Sequence, residues 1–281
     1  MKNYDFAAES QLRKPSHFIH SMVRDLWASK QLALILMFRD IRANYRQTYL
    51  GYLWAFLPSL TIAFGLVAAN NSKVINIEST NIPYPAYVVI SMILWQTFVE
   101  AFNGPLQAIT ESRSMLVKIN FPKEAIILAK MGEVIFNFCI KLILLIAVYI
   151  YYEIPINSMV LLAPFGILSL IIFGTVTGLF LAPIAAVLQD FSKAMTVFTT
   201  GWLFITPVVF PCPKTDSFFS KIVMLNPVTH LLVTTRELAT SGIVSNWNDF
   251  IIVSTASCVA MLFTWIFFKL AMPFVVERMP S

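Results

Sequence analysis

The sequence predicts an all-α membrane protein with six transmembrane helices, an amphipathic helix ahead of them, and two short re-entrant helices between the fifth and sixth spans. Three observations carry this. The chain of 281 residues is 58% hydrophobic and only 12% charged, whereas a soluble domain carries about 25% charged residues. Its mean hydropathy is +0.73, so lipid is the solvent for most of it. Stretches 47–72, 79–99, 154–189, 194–213 and 250–268 contain no charge, and a bilayer crossing takes ~20 apolar residues. A further apolar segment, 125–152, is interrupted only by Lys130, Glu133 and Lys141.

Residues 1–46 form the first region, and their polar start, with Asp5 and Glu9, shows no secretory leader. Within it, 17–46 reads as one amphipathic helix or two in tandem, with Ser16 as a cap. Phe18, Ile19, Met22, Val23, Leu26 and Trp27 follow helical spacing. After a polar break at Ser29-Lys30-Gln31, Leu34, Phe38, Ile41 and Tyr45 continue it. Arg24, Asp25, Arg39 and Arg42 occupy the polar side, the pattern of a helix lying in the headgroup layer. The same pattern suits a plain membrane anchor.

Residues 47–281 form the second region, with spans expected near 48–70, 84–109, 123–152, 159–188, 194–211 and 249–271. Between the second and third spans, 110–123 is short, mixed in charge and helix-compatible, and Pro122 suits the start of the following helix. Between the fifth and sixth, 212–247 carries two apolar pieces broken at Asn226-Pro227. Each is too short to cross, so they read as helices that dip in and return, or as a buried external cap.

Basic residues orient the chain. With the N-terminus inside, the inner segments hold fifteen Lys and Arg: Lys2, Arg13, Lys14, Arg24, Lys30, Arg39, Arg42, Arg46, Arg113, Lys118, Lys123, Lys130, Lys193, Lys269 and Arg278. The outer segments hold four: Lys73, Lys214, Lys221 and Arg236. The positive-inside rule therefore places both termini in the cytoplasm. The net charge of +5 reflects this topology and calls for no nucleic acid.

Polar residues inside the spans are costly and so informative. Glu100, Asn103 and Gln107 share one face of the second span, and Glu133, Asn137 and Lys141 share one face of the third. Glu100 or Glu133 is expected to pair with Lys141, as structural glue or as part of a proton or substrate path. Gly174 and Gly178 form a GxxxG pattern on the fourth span. Tyr45, Tyr49, Tyr52 and Phe56 repeat at helical spacing into the first span, and Phe191, Phe198 and Trp202 do so on the fifth. Such stripes serve as interface belts or as stacking surfaces for sugar rings.

Catalytic signatures are missing from the sequence. It has no GxxxxGK[ST], HExxH or GxSxG motif, and His17, His20 and His230 are scattered. Cys139, Cys212 and Cys258 show neither disulfide nor metal-ligand spacing. No catalytic residue and no metal site is expected, and ATP chemistry would have to come from another subunit.

The run Arg39-Asp40-Ile41-Arg42, followed by Tyr45-Arg46-Gln47-Thr48-Tyr49-Leu50-Gly51-Tyr52-Leu53-Trp54-Ala55-Phe56-Leu57-Pro58, resembles the signature of ABC-2-type polysaccharide exporter permeases of the Wzm and TagG kind. Pro83-Tyr84-Pro85, Leu94-Trp95-Gln96, Lys118-Ile119-Asn120-Phe121-Pro122-Lys123-Glu124, Gln189-Asp190, Thr206-Pro207-Val208-Val209-Phe210-Pro211 and Leu225-Asn226-Pro227 are similar too, in order. Capsule-type members tend to read Glu-Pro where this chain has Leu57-Pro58, which leans toward the O-antigen or teichoic-acid branch. The resemblance implies a homodimer of six-span permeases in the bacterial inner membrane. It also implies two ATP-binding subunits, which would bind the ATP and Mg, and export of a lipid-linked polysaccharide. It casts 17–46 as an interface helix, 110–121 as a coupling helix with Arg113, Lys118 and Phe121, and 212–240 as an outer gate broken at Asn226 and Pro227. Tyr49, Tyr52, Phe56, Phe198 and Trp202 would line the channel, and Arg39, Arg42 and Arg46 would meet the lipid pyrophosphate. The competing classes are an ABC-2 exporter of drugs or simple lipids, a membrane-embedded enzyme acting on lipid-linked sugars, and a secondary transporter using Glu100, Glu133 and Lys141.

Overall fold

The computed structural model describes residues 15–46, 51–72, 80–112, 115–116, 121–213 and 217–278. Every regular element among them is helical. In chain order these are α1 (Pro15–Arg46), a 3-10 turn (Gly51–Ala55), α2 (Leu57–Asn71), α3 (Tyr84–Glu111), α4 (Glu124–Tyr151), a second 3-10 turn (Ser158–Leu162), α5 (Ala163–Val187), α6 (Gln189–Trp202), α7 (Phe218–Leu225), α8 (Pro227–Ala239) and α9 (Trp247–Arg278).

Four helical segments are long and apolar enough to cross a bilayer unaided: Tyr84–Glu111, Glu124–Tyr151, Ser158–Val187 and Trp247–Val276. The expected first and fifth spans are shorter. The first begins as a 3-10 turn, with Gly51 at φ 49, and becomes α-helical only at Leu57. Pro58 dictates that restart, because proline is tolerated in the first turn of a helix and not in its interior. The fifth runs from Gln189 to Trp202, earlier at both ends than the expected 194–211, and 203–210 form turns. Pro207 has no N–H to continue the helical ladder and its ring clashes with the preceding turn.

α3 is the central helix. Val88, Ile90, Met92, Ile93 and Phe98 are wholly buried, and α2, α4, α5, α6 and α8 all pack on it. Its seam with α5 is the most extensive in the molecule. α4 and α9 instead present apolar faces outward, with Ile143, Ile150, Leu262 and Phe263 exposed, as expected of lipid-facing helices.

α1 is one continuous helix of 32 residues, with no break at Ser29-Lys30-Gln31. Ser29 is buried and its hydroxyl donates to the Asp25 carbonyl at 2.6 Å, so the polar triplet costs no helical turn. The apolar residues divide between two surfaces. Ala33, Leu36 and Ile41 turn inward, while Trp27, Leu34 and Phe38 stay exposed. Lys269 near the end of α9 reaches Asp25 at 2.8 Å and Glu124 at 3.9 Å, which ties α9, α1 and the start of α4 together at one end.

Candidate functional site

The polar faces of α3 and α4 do meet. Lys130, Glu133, Asn137 and Lys141 lie at i, i+3, i+7 and i+11, one stripe down α4 of about 16 Å at 1.5 Å per residue. Lys141 is wholly buried and its ammonium sits 2.5 Å from Glu100 Oε1. Asn137 donates to Glu100 Oε2 at 3.3 Å and accepts from the Tyr45 hydroxyl at 2.8 Å. One turn away, Glu133 accepts from Asn44 at 2.6 Å and pairs with Lys130 at 2.9 Å; Lys130 also lies 3.6 Å from Glu111. Of the two expected partners for Lys141, Glu100 is the one that reaches it. Asn103 is buried with its Oδ1 unpartnered and Gln107 is exposed, so neither joins the chain. α1 also contributes to this network, through Asn44 and Tyr45, which local spacing within α3 and α4 does not reveal.

The aromatic residues form two sets. Trp202 stands edge-on to Phe98 and Phe102 of α3, at centroid distances of 5.4 and 6.1 Å, and beside Phe198 at 5.2 Å. Phe198 remains half exposed. Tyr52 is also half exposed and packs on Tyr45 at 4.6 Å and on Phe136 at 6.2 Å. Phe56 is half-buried just ahead of α2. No ring contact among the described residues joins the Tyr52 set to the Trp202 set within one chain. Tyr49 lies outside the described residues, as do Arg113 and Lys118 with half of 110–121; Phe121 is half-buried. Arg39, Arg42 and Arg46 are all exposed on the last turns of α1. Arg39 forks onto its neighbour Asp40 at 2.8 Å, while Arg42 and Arg46 have no ion-pair partner among the described residues.

The segment after α6 is held by side chains. Once Pro207 breaks the ladder, its carbonyls need donors, since an unpaired carbonyl at membrane depth is expensive. The Arg236 guanidinium donates to Pro207 O at 2.9 Å, Tyr84 Oη to Val209 O at 3.1 Å, and Tyr87 Oη to Phe210 O at 2.9 Å. Asn226 separates α7 from α8, and its side chain joins the start of α8 to the turn after α6. Its Oδ1 accepts from the Val228 amide at 3.1 Å as a helix cap, and its Nδ2 donates to the Thr206 hydroxyl at 2.9 Å. Pro227 occupies the first turn of α8.

Arg236 was counted with the outer segment, in its second apolar piece; it is buried on α8. Its place on a short helical piece with Leu231, Leu232 and Leu238 was the signal, because a charge among apolar neighbours must find internal partners. Tyr84, Tyr87 and Ser91 carried no comparable signal; their role depends on where the chain returns more than a hundred residues later.

A model of the ABC-2 type transporter family matches residues 31–240. Among curated proteins, the O-antigen export system permease protein RfbA of Myxococcus xanthus is 28% identical over 77% of this chain and 83% of its own length. The RfbA permease of Klebsiella pneumoniae is 20% identical over 75% of this chain and 81% of its own. The polysialic acid transport protein KpsM of Escherichia coli is 24% identical, over 75% and 81% respectively.

Proposed function

The chain belongs to the ABC-2 type transporter family, and from that membership we propose that it is the permease through which an ATP-driven exporter moves an O-antigen-like polysaccharide. Two relatives named as O-antigen export permeases, matched over most of both lengths, carry this reading. The chain is a multi-pass bacterial membrane protein and a transport subunit. In the finer reading two permeases pair in the inner membrane with both termini cytoplasmic. Two ATP-binding subunits, holding ATP and Mg²⁺, dock on 110–121. Exposed Arg39, Arg42 and Arg46 meet the lipid pyrophosphate in the headgroup layer, where cations on an amphipathic helix are favoured. The polymer passes between the paired permeases along the first and fifth expected spans, α2 and α6, whose neighbouring rings Tyr52 and Phe198 remain open. Ring stacking suits a sliding polymer, because it tolerates many registers where bidentate hydrogen bonds would hold one.

Tyr52→Ala and Phe198→Ala each remove an exposed ring. At about 0.5–1.5 kcal/mol per aromatic contact, surface polysaccharide should fall roughly three- to tenfold at unchanged permease level. Trp202→Ala behaves differently. Its ring packs on Phe98 and Phe102, so permease level should fall together with export. Normal export in Y52A and F198A cells would remove these rings from the channel.

Coupling has its own readout. Reversing Arg113 and Lys118 to Glu should lower substrate-stimulated ATPase activity of the assembled transporter roughly tenfold, since like charges brought together at an interface cost several kcal/mol. Unchanged stimulation would move the docking surface away from 110–121. A capsule-type acidic polymer is the second reading, favoured by the likeness to KpsM. Composition of the exported polymer decides between the two.

A further inference from the structure

Arg236 is 5% exposed, and no described carboxylate lies within ion-pair distance of it. The adjacent Glu237 is engaged elsewhere, accepting from the Ser245 amide and hydroxyl. All of the guanidinium's contacts are neutral and each belongs to another part of the chain. Nη1 donates to Ser91 Oγ at 3.0 Å on α3 and to Pro207 O at 2.9 Å in the turn after α6. The plane rests on the Tyr87 ring at 4.1 Å, and Tyr87 in turn donates to Phe210 O. One side chain of α8 therefore joins the outer segment, the end of α6 and the central helix.

A buried cation whose nearest carboxylate, Glu237, makes no ion pair with it is a poor way to gain stability. Apolar residues of similar volume usually hold a core as well or better. A point charge on neutral acceptors does define one geometry, because any shift of α8 leaves the cation and the Pro207 carbonyl unpaired together. We propose that Arg236 is a positioning residue that latches the outer segment in its closed resting state. The proposal rests on reading α7 and α8 as the outer closure of the export path. Without the latch, the turn carbonyls at 207 lose their donor and are satisfied by water, so the resting path hydrates and leaks.

The test uses the complete transporter, permease with its ATP-binding subunits, in vesicles without ATP or polymer. Passive efflux of a small hydrophilic dye is measured at matched permease content. Arg236→Gln should raise it roughly tenfold, the shift in a closed-to-open balance expected from losing one hydrogen bond to a charged group. Arg236→Lys keeps the charge but not the planar fork or the stacked face, and should restore a tight resting state only in part. Adding Ser91→Ala to Arg236→Gln should change little further, whereas in the otherwise native chain Ser91→Ala alone should leak. If R236Q does not accumulate, S91A and Tyr87→Leu read the same latch from its partners. Efflux at the wild-type level in R236Q, or in both partner variants, overturns the proposal. Because the assay contains neither ATP nor polymer, its outcome stands apart from the export reading. If wild-type complex with ATP carries no polysaccharide, that reading fails while the latch is still judged on leak.

Discussion

Glu100→Gln should be the most damaging single change in the membrane interior, more damaging than Lys141→Met, and the double variant should recover most of the loss. The asymmetry follows from burial. The Lys141 side chain is wholly inaccessible, whereas the Glu100 side chain retains 29% of its exposure. Removing the carboxylate strands a fully buried ammonium. Removing the ammonium strands a carboxylate that keeps some hydration and a hydrogen bond from Asn137. Breaking one side of a buried pair costs about 3–5 kcal/mol, while replacing both partners by neutral groups of similar volume is often close to neutral. The partial exposure of Glu100 puts Lys141→Met at the low end of that range and Glu100→Gln at the high end. Against a total stability of about 5–15 kcal/mol, Glu100→Gln should deplete the membrane of folded permease. Thermal unfolding of the purified complex gives the order directly. Strictly additive single and double variants would show that the two groups do not act as a pair, and would reopen a transport role for the charges.

That network shows which parts of the molecule were legible in the sequence. The spans announce themselves because charge in lipid is costly, so uncharged runs fall within α3, α5 and α9, and α4 shows as an apolar segment broken by three charges. Facing polar residues announce themselves because a helix repeats every 3.6 residues; Glu100 and Glu133 could therefore be offered as partners for Lys141, and the structure selects Glu100. Three things depended on tertiary structure. The end of α6 is set by Pro207 together with donors from α3 and α8, and hydropathy simply continues through it. The split of α1 into lipid-facing and core-facing apolar residues depends on α4 lying against it. The burial of Arg236 was not legible, because it is decided by Tyr87 and Ser91 of α3, more than a hundred residues away, and by Pro207 after α6. The candidate channel rings were recognisable as a type, but the difference between open Phe198 and packed Trp202 depends on Phe98 and Phe102.

Gly178→Ala should separate α5 from α3, and Gly174→Ala should do so less completely. A GxxxG pattern is common enough in membrane helices to specify little by itself; here the facing surface gives it content. A Cβ at Gly178 would collide with the backbone carbonyl of Phe102, and one at Gly174 would lie 2.9 Å from both the Ala101 Cβ and the Phe98 carbonyl oxygen. Backbone cannot rotate aside as a side chain can, so each methyl must push the helices apart. In lipid this matters more than in water, because helix association rests on close packing with no hydrophobic drive behind it. Overpacking costs about 1–3 kcal/mol per site, and here the loss spreads. α5 also carries α8, through Gly166 against Thr235, and packs on α9. A displaced α5 would move α8 and misalign Arg236 with Ser91 and Pro207, so dye leak should rise with instability. Gly65 and Gly201 are the controls, since a Cβ at either meets nothing within 4 Å. Alanine there should be neutral or stabilising by up to about 1 kcal/mol through helix propensity. If Gly178→Ala unfolds at the wild-type temperature while Gly201→Ala behaves identically, close backbone approach is not what holds the central seam.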